Sequence, residues 1–219
     1  ELAVELLRLV CRGQKSRRFH AVADSAYGGR TVLTELPANC DLTSRLVLDA
    51  RLYAAAPERR PGTNGRPRKR GPRLPAPKAM LDGRARRLTL AIYGRQDQVR
   101  LCDTVAYVYA APDRPLRVVA VEPLCGGRPR QAFYSTCREA TAEQLLTWYA
   151  LRWSLEVAFH DSKGSLGFEE PQGWTRRAVE RTAPVALLLY SLIVLWFVRE
   201  GHCHYRVPHR PWYRSKRHA

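Results

Sequence analysis

Four residues with charged or hydroxyl-bearing side chains stand at fixed spacing in one segment of the sequence: Tyr149, Arg152, Glu156 and Lys163. On an α-helix these positions fall within a stripe about 60° wide, because each residue turns the helix by roughly 100°. A carboxylate beside a guanidinium and an amine could bind a hard cation and neighbouring phosphates. The spacing also allows a solvated ion pair between Arg152 and Glu156, worth about 0.2–0.5 kcal/mol.

A single helix from about Thr141 to Lys163 is predicted to carry this stripe. Thr141 is followed three residues later by Gln144, which is the pattern of a capping box, and no Pro or Gly interrupts the segment before Gly164. Apolar residues flank the stripe on both sides, so we expect the helix to be largely covered, with one charged face open. These residues are Leu145, Leu146, Trp148, Leu151, Trp153, Leu155, Val157 and Phe159.

The spacing Y-x2-R-x3-E-x6-K resembles the signature helix of bacterial insertion-sequence transposases of the DDE class, in the branch called YREK. The surrounding run, WYALRWSLEVAFHDSKGSLGFEEPQG, is similar to that family's segment almost throughout. The resemblance implies that Glu156 is the last of three catalytic carboxylates. It also implies that Tyr149, Arg152 and Lys163 hold phosphates at the transposon end.

A second candidate carboxylate, Asp24, follows the strand-like apolar run Phe19–Ala23 and precedes Gly28 and Gly29. Open α/β sheets present functional groups at the carboxyl ends of strands in this way. Asp also commonly begins turns, which is the alternative role for this position. The segment ADSAYGG is similar to the family's second-aspartate segment, which implies that Asp24 is catalytic and binds metal with Glu156.

The resemblance implies an α/β fold: a ribonuclease H-like catalytic core, incomplete because its first strands are missing, interrupted by a β-rich insertion. The predicted divisions are a first part of the core (1–53), a basic Pro/Gly-rich loop (54–85), the insertion (86–135), a helical C-terminal part of the core (136–200) and a basic tail (201–219).

Local patterns predict the elements within these divisions. We expect a helix over residues 1–12, a second short helix near 30–36, a strand over 42–52 and a mobile loop over 57–78. Within the insertion, strands are predicted at 88–93, 99–101, 104–110 and 116–121, with a turn at 112–115. The uncharged run 182–198 favours a buried core helix over a membrane span. For Tyr93, Tyr107 and Tyr109, packing is favoured over stacking on an unpaired base.

The composition indicates a polyanionic partner. Lys and Arg number 37 against 20 Asp and Glu, a net charge of +17, which favours nucleic acid first and an anionic membrane surface second. A generic basic protein from an Arg-rich proteome is the plain alternative. The six Cys show no paired spacing, which indicates reduced thiols rather than a disulfide framework or a zinc site.

The resemblance implies DNA cleavage and strand transfer with two Mg²⁺ ions, or Mn²⁺, held by carboxylates. It implies double-stranded DNA as partner, both transposon ends and target, a dimer in a synaptic complex, no membrane, and a cytoplasmic, nucleoid-associated location. Only Glu1 and Glu5 precede Asp24, so the first catalytic Asp is missing and the chain alone is predicted to be inactive. The alternatives are a catalytically dead DNA-binding remnant of a transposase and an unrelated RNA-binding protein.

Overall fold

The computed structural model describes residues 2–58, 66, 68–92, 95–125 and 127–204. The chain divides into two compact units, Glu1–Arg152 and Trp153–Ala219. The first unit contains the β-sheet, and the described part of the second is helical.

The first unit begins with α1 (Leu2–Arg12), β1 (Phe19–Ala23), a 3-10 turn (Ser25–Tyr27) and α2 (Arg30–Glu35). It continues with β2 (Cys40–Leu46), β3 (Leu52–Tyr53), β4 (Arg73–Leu74), α3 (Pro77–Arg84), β5 (Arg86–Ile92), β6 (Arg95–Val108), β7 (Ala111–Pro123), β8 (Gln131–Ser135) and α4 (Ala142–Leu151). The second unit contains α5 (Trp153–Ser165), α6 (Arg176–Trp196), a π-helical turn (Phe197–Gly201) and α7 (His202–His204). The predicted first helix, the strand before Asp24 and the short helix after it are confirmed.

The strands of the described residues form one eight-stranded mixed sheet in the order β1-β2-β8-β7-β6-β3-β4, with β5 also paired to β6. β1 and β2 are parallel, with Ala23 opposite Ser44, and β2 is antiparallel to β8. β1 ends this order, so its outer edge pairs with no strand of the described residues. The expected mixed α/β fold is confirmed, and the strands of the predicted insertion share this sheet with β1 and β2.

The central strands are buried on both faces of the sheet. Val118 and Val119 are adjacent in β7 and both fully buried, and successive side chains of a strand point to opposite faces. Val118 belongs to a core cluster that includes residues of α1, α2 and α3, whereas Val119 belongs to a second cluster that includes residues of α4. α4 therefore packs against one face of the sheet through this second cluster.

The predicted single helix from Thr141 to Lys163 is instead two helices, α4 and α5. The capping box is present: Gln144 N donates to Thr141 Oγ1 at 3.2 Å, and Thr141 N donates to Gln144 Oε1 at 2.8 Å. α4 ends at Leu151 because the Arg152 N–H donates to Tyr149 O, three residues back, which tightens the last turn. Arg152 keeps helical angles, with φ −54° and ψ −33°.

The β-rich segment contains fewer and longer strands than the pattern predicts. The expected strands at 99–101 and 104–110 are parts of β6, and the expected turn at 112–115 lies inside β7. The pairing of β6 with β7 shifts register between Ala106 and Val108, and β8 pairs with β7 only from Arg117 onward. Pro112 and Pro115 are tolerated in β7 because the pairing with β6 is irregular there and β8 does not yet pair with this part of β7.

Two other segments also differ from the sequence-based expectation. The predicted strand over 42–52 ends at Leu46, and Leu52 belongs to the separate strand β3. The segment predicted as a loop over 57–78 contains β4 and the beginning of α3, where Pro77 occupies the first turn. The loop prediction for residues 59–65 and 67 lies outside the described residues.

The predicted burial of the uncharged run 182–198 is wrong. Ala186 is the one buried residue of α6, and Leu188, Leu192 and Trp196 are more than half exposed. Large apolar side chains surround this helix, so contact with α5 cannot cover every face. Among the described residues, Arg176–His204 is the helix long and apolar enough to cross a membrane, which is weak support for a span.

Candidate functional site

Asp24 lies where the sequence predicts it, directly after β1 and at the carboxyl end of that strand. It caps the 3-10 turn, and its Oδ1 accepts a hydrogen bond from Ser25 N at 2.7 Å. The residue is exposed. Asp24 therefore presents a carboxylate at the edge of the sheet, held by the turn that it begins.

Two side chains from neighbouring strands hold the Asp24 loop in place. Ser44 Oγ donates to the carbonyl of Asp24 at 3.1 Å, and Tyr134 Oη donates to the carbonyl of Gly28 at 2.6 Å. Burial raises the pKa of Tyr134 to about 12, so its hydroxyl stays protonated and remains a donor at neutral pH. β2 and β8 thus fix both ends of the loop.

Gly28 allows this close approach. A Cβ atom at Gly28 would lie 2.5 Å from Ser44 Oγ and 2.6 Å from Tyr134 Oη. A Cβ at the adjacent Gly29 would meet nothing within 4 Å. The first glycine is therefore required by packing and the second is not.

Tyr149 and Arg152, from the end of the first unit, lie in the electrostatic environment of Asp24. Burial raises the pKa of Tyr149, Arg152 and Arg45 oppose this increase, and the negative charge of Asp24 adds to it. The Tyr149 ring packs on Phe133 of β8 at 4.5 Å, and the Arg152 guanidinium lies 5.7 Å from the centre of the Tyr149 ring. The structure therefore brings Asp24, Tyr149 and Arg152 to one region of the first unit.

Sequence reasoning missed Arg45, Ser44 and Tyr134 in this region, and it placed Gly28 in the turn without its packing role. Arg45 is exposed near the end of β2, and the five strand residues before it are buried. A charged residue at the end of an otherwise uncharged strand half is the signal that could have indicated Arg45. Nothing local marks Ser44 or Tyr134, since their role depends on strand pairing: Ser44 is opposite both Ala23 and Tyr134.

A histidine beneath α4 connects that helix to the two parallel strands. The His20 ring lies 4.2 Å from the Trp148 ring, and its Nε2 is 2.7 Å from Thr43 Oγ1. Thr43 Oγ1 donates in turn to Ser135 Oγ at 2.9 Å. Because Trp148 precedes Tyr149, this contact fixes the end of α4 that carries the candidate tyrosine.

We expect His20 to make the chain less stable in mild acid. Burial lowers the pKa of His20, Asp41 opposes the shift, and Arg18 adds to it. The unfolded chain therefore binds more protons than the folded chain below about pH 6.5, and the free energy of unfolding falls as the pH drops through the folded-state pKa. Urea unfolding at several values between about pH 5 and 7.5 measures this slope, which His20→Gln should reduce.

His160→Gln is the matched control, because His160 is exposed on α5. This variant should keep the wild-type slope. If His20→Gln also keeps it, another group is responsible for the acid sensitivity.

Asp41, the acidic residue of β2, is not placed to bind a ligand with Asp24. Its Oδ2 accepts from Arg18 Nε at 2.7 Å and its Oδ1 from Thr136 Oγ1 at 3.0 Å. It is opposite His20, four residues before Asp24, which places it about 13 Å away along the strands. Asp41 therefore stabilises the far end of the strand pair.

Glu156 and Lys163 lie on α5, in the second unit. Glu156 is exposed in the first turn of that helix, and Lys163 in the last turn forms an ion pair with Glu169. The expectation that the helix is largely covered is wrong for α5. Ser162 is its one buried residue, and Trp153 and Leu155 are 52% and 55% exposed. In the described second unit, α5 has too few neighbours to cover both of its apolar flanks.

The two candidate metal ligands have suitable chemistry but do not form a complete set. Asp24 and Glu156 are exposed carboxylates, the donors that Mg²⁺ and Mn²⁺ take. Within the described ranges, no cluster of three or more His, Cys, Asp or Glu residues could hold a metal ion. The residues present can thus supply part of a hard-cation site.

Residues 1–106 match the model of a family described as DDE superfamily endonuclease. No curated protein matches the chain. The matched region includes Asp24 and ends before the four residues of the signature spacing, Tyr149, Arg152, Glu156 and Lys163. The match supports a DDE transposase-type domain. Domains of this type are in general expected to act as nucleases on DNA and to use divalent metals.

Proposed function

We propose that this chain is part of the catalytic domain of an insertion-sequence DNA transposase of the YREK branch, with a ribonuclease H-like core. Asp24 and Glu156 are two of its metal-binding carboxylates. Tyr149, Arg152 and Lys163 bind the DNA at the transposon end. The match of residues 1–106 to a DDE endonuclease family supports the general class, and the signature spacing supports the branch.

One observation carries this proposal. Asp24 and Tyr149 are 125 residues apart in sequence (149 − 24), yet both lie beside β2. The Tyr149 ring packs on Phe133, whose partner in β2 is Arg45. The adjacent β2 residue, Ser44, donates a hydrogen bond to the carbonyl of Asp24. This proximity is what a phosphate-binding site beside a metal ligand requires.

The side chains of this region suit a DNA phosphate. The guanidinium groups of Arg45 and Arg152 can each donate two parallel hydrogen bonds to phosphate oxygens. The raised pKa of Tyr149 keeps its hydroxyl protonated, so it can donate a hydrogen bond to a phosphate at neutral pH. Lys163 would add a point charge to a neighbouring phosphate once Glu169 releases it.

A divalent metal held by Asp24 and Glu156 would supply the remaining chemistry, lowering the proton affinity of an attacking water or 3′-hydroxyl and neutralising charge on the leaving oxygen. The carboxylates must be ionised for this role. Two carboxylates are one fewer than a DDE site uses, so the chain alone is expected to bind metal and DNA without cleaving.

The expected partners follow from the same proposal. The net charge of +17 favours binding of double-stranded DNA, both transposon ends and target. We propose a dimer in a synaptic complex as the assembly, and the cytoplasm, in association with the nucleoid, as the location.

Metal dependence of DNA binding tests the proposal. We expect the 219-residue chain to bind a labelled duplex about tenfold more tightly with Mn²⁺ than with EDTA, because a cation held by Asp24 and Glu156 would offset the repulsion between these carboxylates and the DNA phosphates. Fluorescence anisotropy at constant ionic strength measures this, since binding to DNA depends strongly on salt. Equal affinity in Mn²⁺ and EDTA would instead favour the DNA-binding remnant without metal chemistry.

A further inference from the structure

An arginine lies over two tyrosine rings at the end of the sheet opposite Asp24. The Arg70 guanidinium carbon is 5.0 Å from the centre of the Tyr53 ring and 4.5 Å from that of Tyr109. Tyr53 belongs to β3, and four strands separate β3 from β1 in the sheet order. Five strand spacings correspond to about 24 Å, so this arginine is remote from the Asp24 loop.

The backbone around Arg70 fixes its position. Gly71 N donates to Ala54 O at 3.0 Å, and Ala54 N donates to Pro72 O at 2.9 Å. A Cβ atom at Gly71 would collide with the carbonyl oxygen of Ala55, so only glycine permits this approach. The backbone that carries Arg70 is therefore held beside the residues that follow β3.

Tyr109 presents an exposed aromatic ring at the turn between β6 and β7. The sequence favours core or cross-strand packing for this residue, and a core position is wrong, because its side chain is 68% exposed. Tyr107 is half-buried, and Tyr93 lies outside the described residues. A further planar group can stack on the Tyr109 ring, on which the Arg70 guanidinium already packs.

A basic cleft of about 480 Å³ lies in the same region. Its lining includes Arg66, Arg68 and Lys69 together with Tyr107 and one carboxylate, Asp113. Among the described residues these three cations form no ion pair with an acidic side chain, so their charge is available to a ligand. We call Tyr53, Arg70, Tyr109 and this cleft the Tyr109 surface.

We propose that the Tyr109 surface binds an unpaired DNA strand, as a second nucleic-acid site in addition to the region of Asp24. An exposed aromatic ring beside a positive groove is the combination that binds single strands, because bases stack on the ring while cations contact the backbone. Bases inside a duplex stack on one another and cannot use the ring. The choice of DNA rests on the proposed function.

Substitution of Tyr109 tests this proposal without changing the charge of the surface. We expect Tyr109→Ala to weaken binding of a labelled oligothymidylate of about fifteen nucleotides at least tenfold, and Tyr109→Phe to keep wild-type affinity, because the ring and not the hydroxyl stacks. Binding of a duplex of the same length should change less than about twofold. Fluorescence anisotropy of the 219-residue chain in EDTA gives all these values.

Trp174→Ala is the matched control, since Trp174 is a fully exposed aromatic residue of the second unit. This variant should keep the wild-type affinity for the single strand. Tyr109 is exposed, so its replacement leaves the core intact, which circular dichroism verifies. If Tyr109→Ala keeps its affinity for the single strand, or loses duplex affinity equally, the proposal is overturned. These measurements are made in EDTA, whereas the transposase assignment is tested by the effect of Mn²⁺ on duplex binding. A negative result for the Tyr109 surface is therefore distinguishable from a negative result for the transposase assignment.

Discussion

Glu156→Gln is expected to weaken Mn²⁺ binding by the DNA-bound chain at least about tenfold and to abolish the tightening of DNA binding by Mn²⁺. The substitution keeps the size of the side chain and its exposed position in the first turn of α5, but it removes the charge that attracts a hard cation. Isothermal titration calorimetry with Mn²⁺, in the presence of a short duplex, measures the affinity. The Glu156 variant should bind DNA in EDTA as the wild type does.

Asp161→Asn provides the control from the same helix. Asp161 is also exposed on α5, but five residues after Glu156 it lies about 140° around the helix. It should therefore leave Mn²⁺ binding unchanged. Equal losses in the two variants would show that α5 acts only through its overall charge, and an unchanged Glu156→Gln variant would remove Glu156 from the metal site.

Gly28→Ala is expected to lower the free energy of unfolding by about 1–3 kcal/mol and to eliminate the metal-dependent part of DNA binding. The added Cβ would lie 2.5 Å from Ser44 Oγ and 2.6 Å from Tyr134 Oη, so these atoms must move. Both atoms also hold the loop of Asp24 through hydrogen bonds. Urea unfolding measures the stability, and anisotropy with Mn²⁺ and with EDTA measures the displacement of the carboxylate.

Gly29→Ala separates this effect from a general cost of replacing glycine. No atom lies within 4 Å of a Cβ at Gly29. Gly29 is the N-cap of α2, where alanine is less favourable, so a loss below about 1 kcal/mol is expected, with metal dependence retained. If the two variants unfold at the same urea concentration and bind DNA equally, the Gly28 packing does not position Asp24.

Local signals in the sequence were enough to place two parts of the candidate site. The Thr141–Gln144 capping box fixes the start of α4, because the partners of such a cap lie within one turn. The position of Asp24 after a five-residue strand was also predictable from the apolar run and the following glycines. In both cases the determining contacts are close in sequence.

The remaining features depend on contacts that a linear pattern does not contain. Arg45 and Tyr134 join the Asp24 region only through strand pairing, and the exposed ring of Tyr109 results from where the long β6–β7 hairpin turns. The apolar character of α6 was evident, but an apolar sequence does not specify what covers it, and the expected burial was wrong. The division of the signature segment at Arg152 likewise depends on one tightened turn.

The position of β1 at the end of the strand order has a consequence for handling the protein. In the part of the chain that the structure describes, no strand covers the outer edge of β1, and the backbone N–H and C=O groups of such an edge can form a ladder with another chain, which is a route to self-association. Mutual repulsion between molecules that each carry +17 charges opposes this at low ionic strength. Added electrolyte shortens the range of that repulsion to about 10 Å at 0.1 M, so preparations should lose colloidal stability as salt is raised.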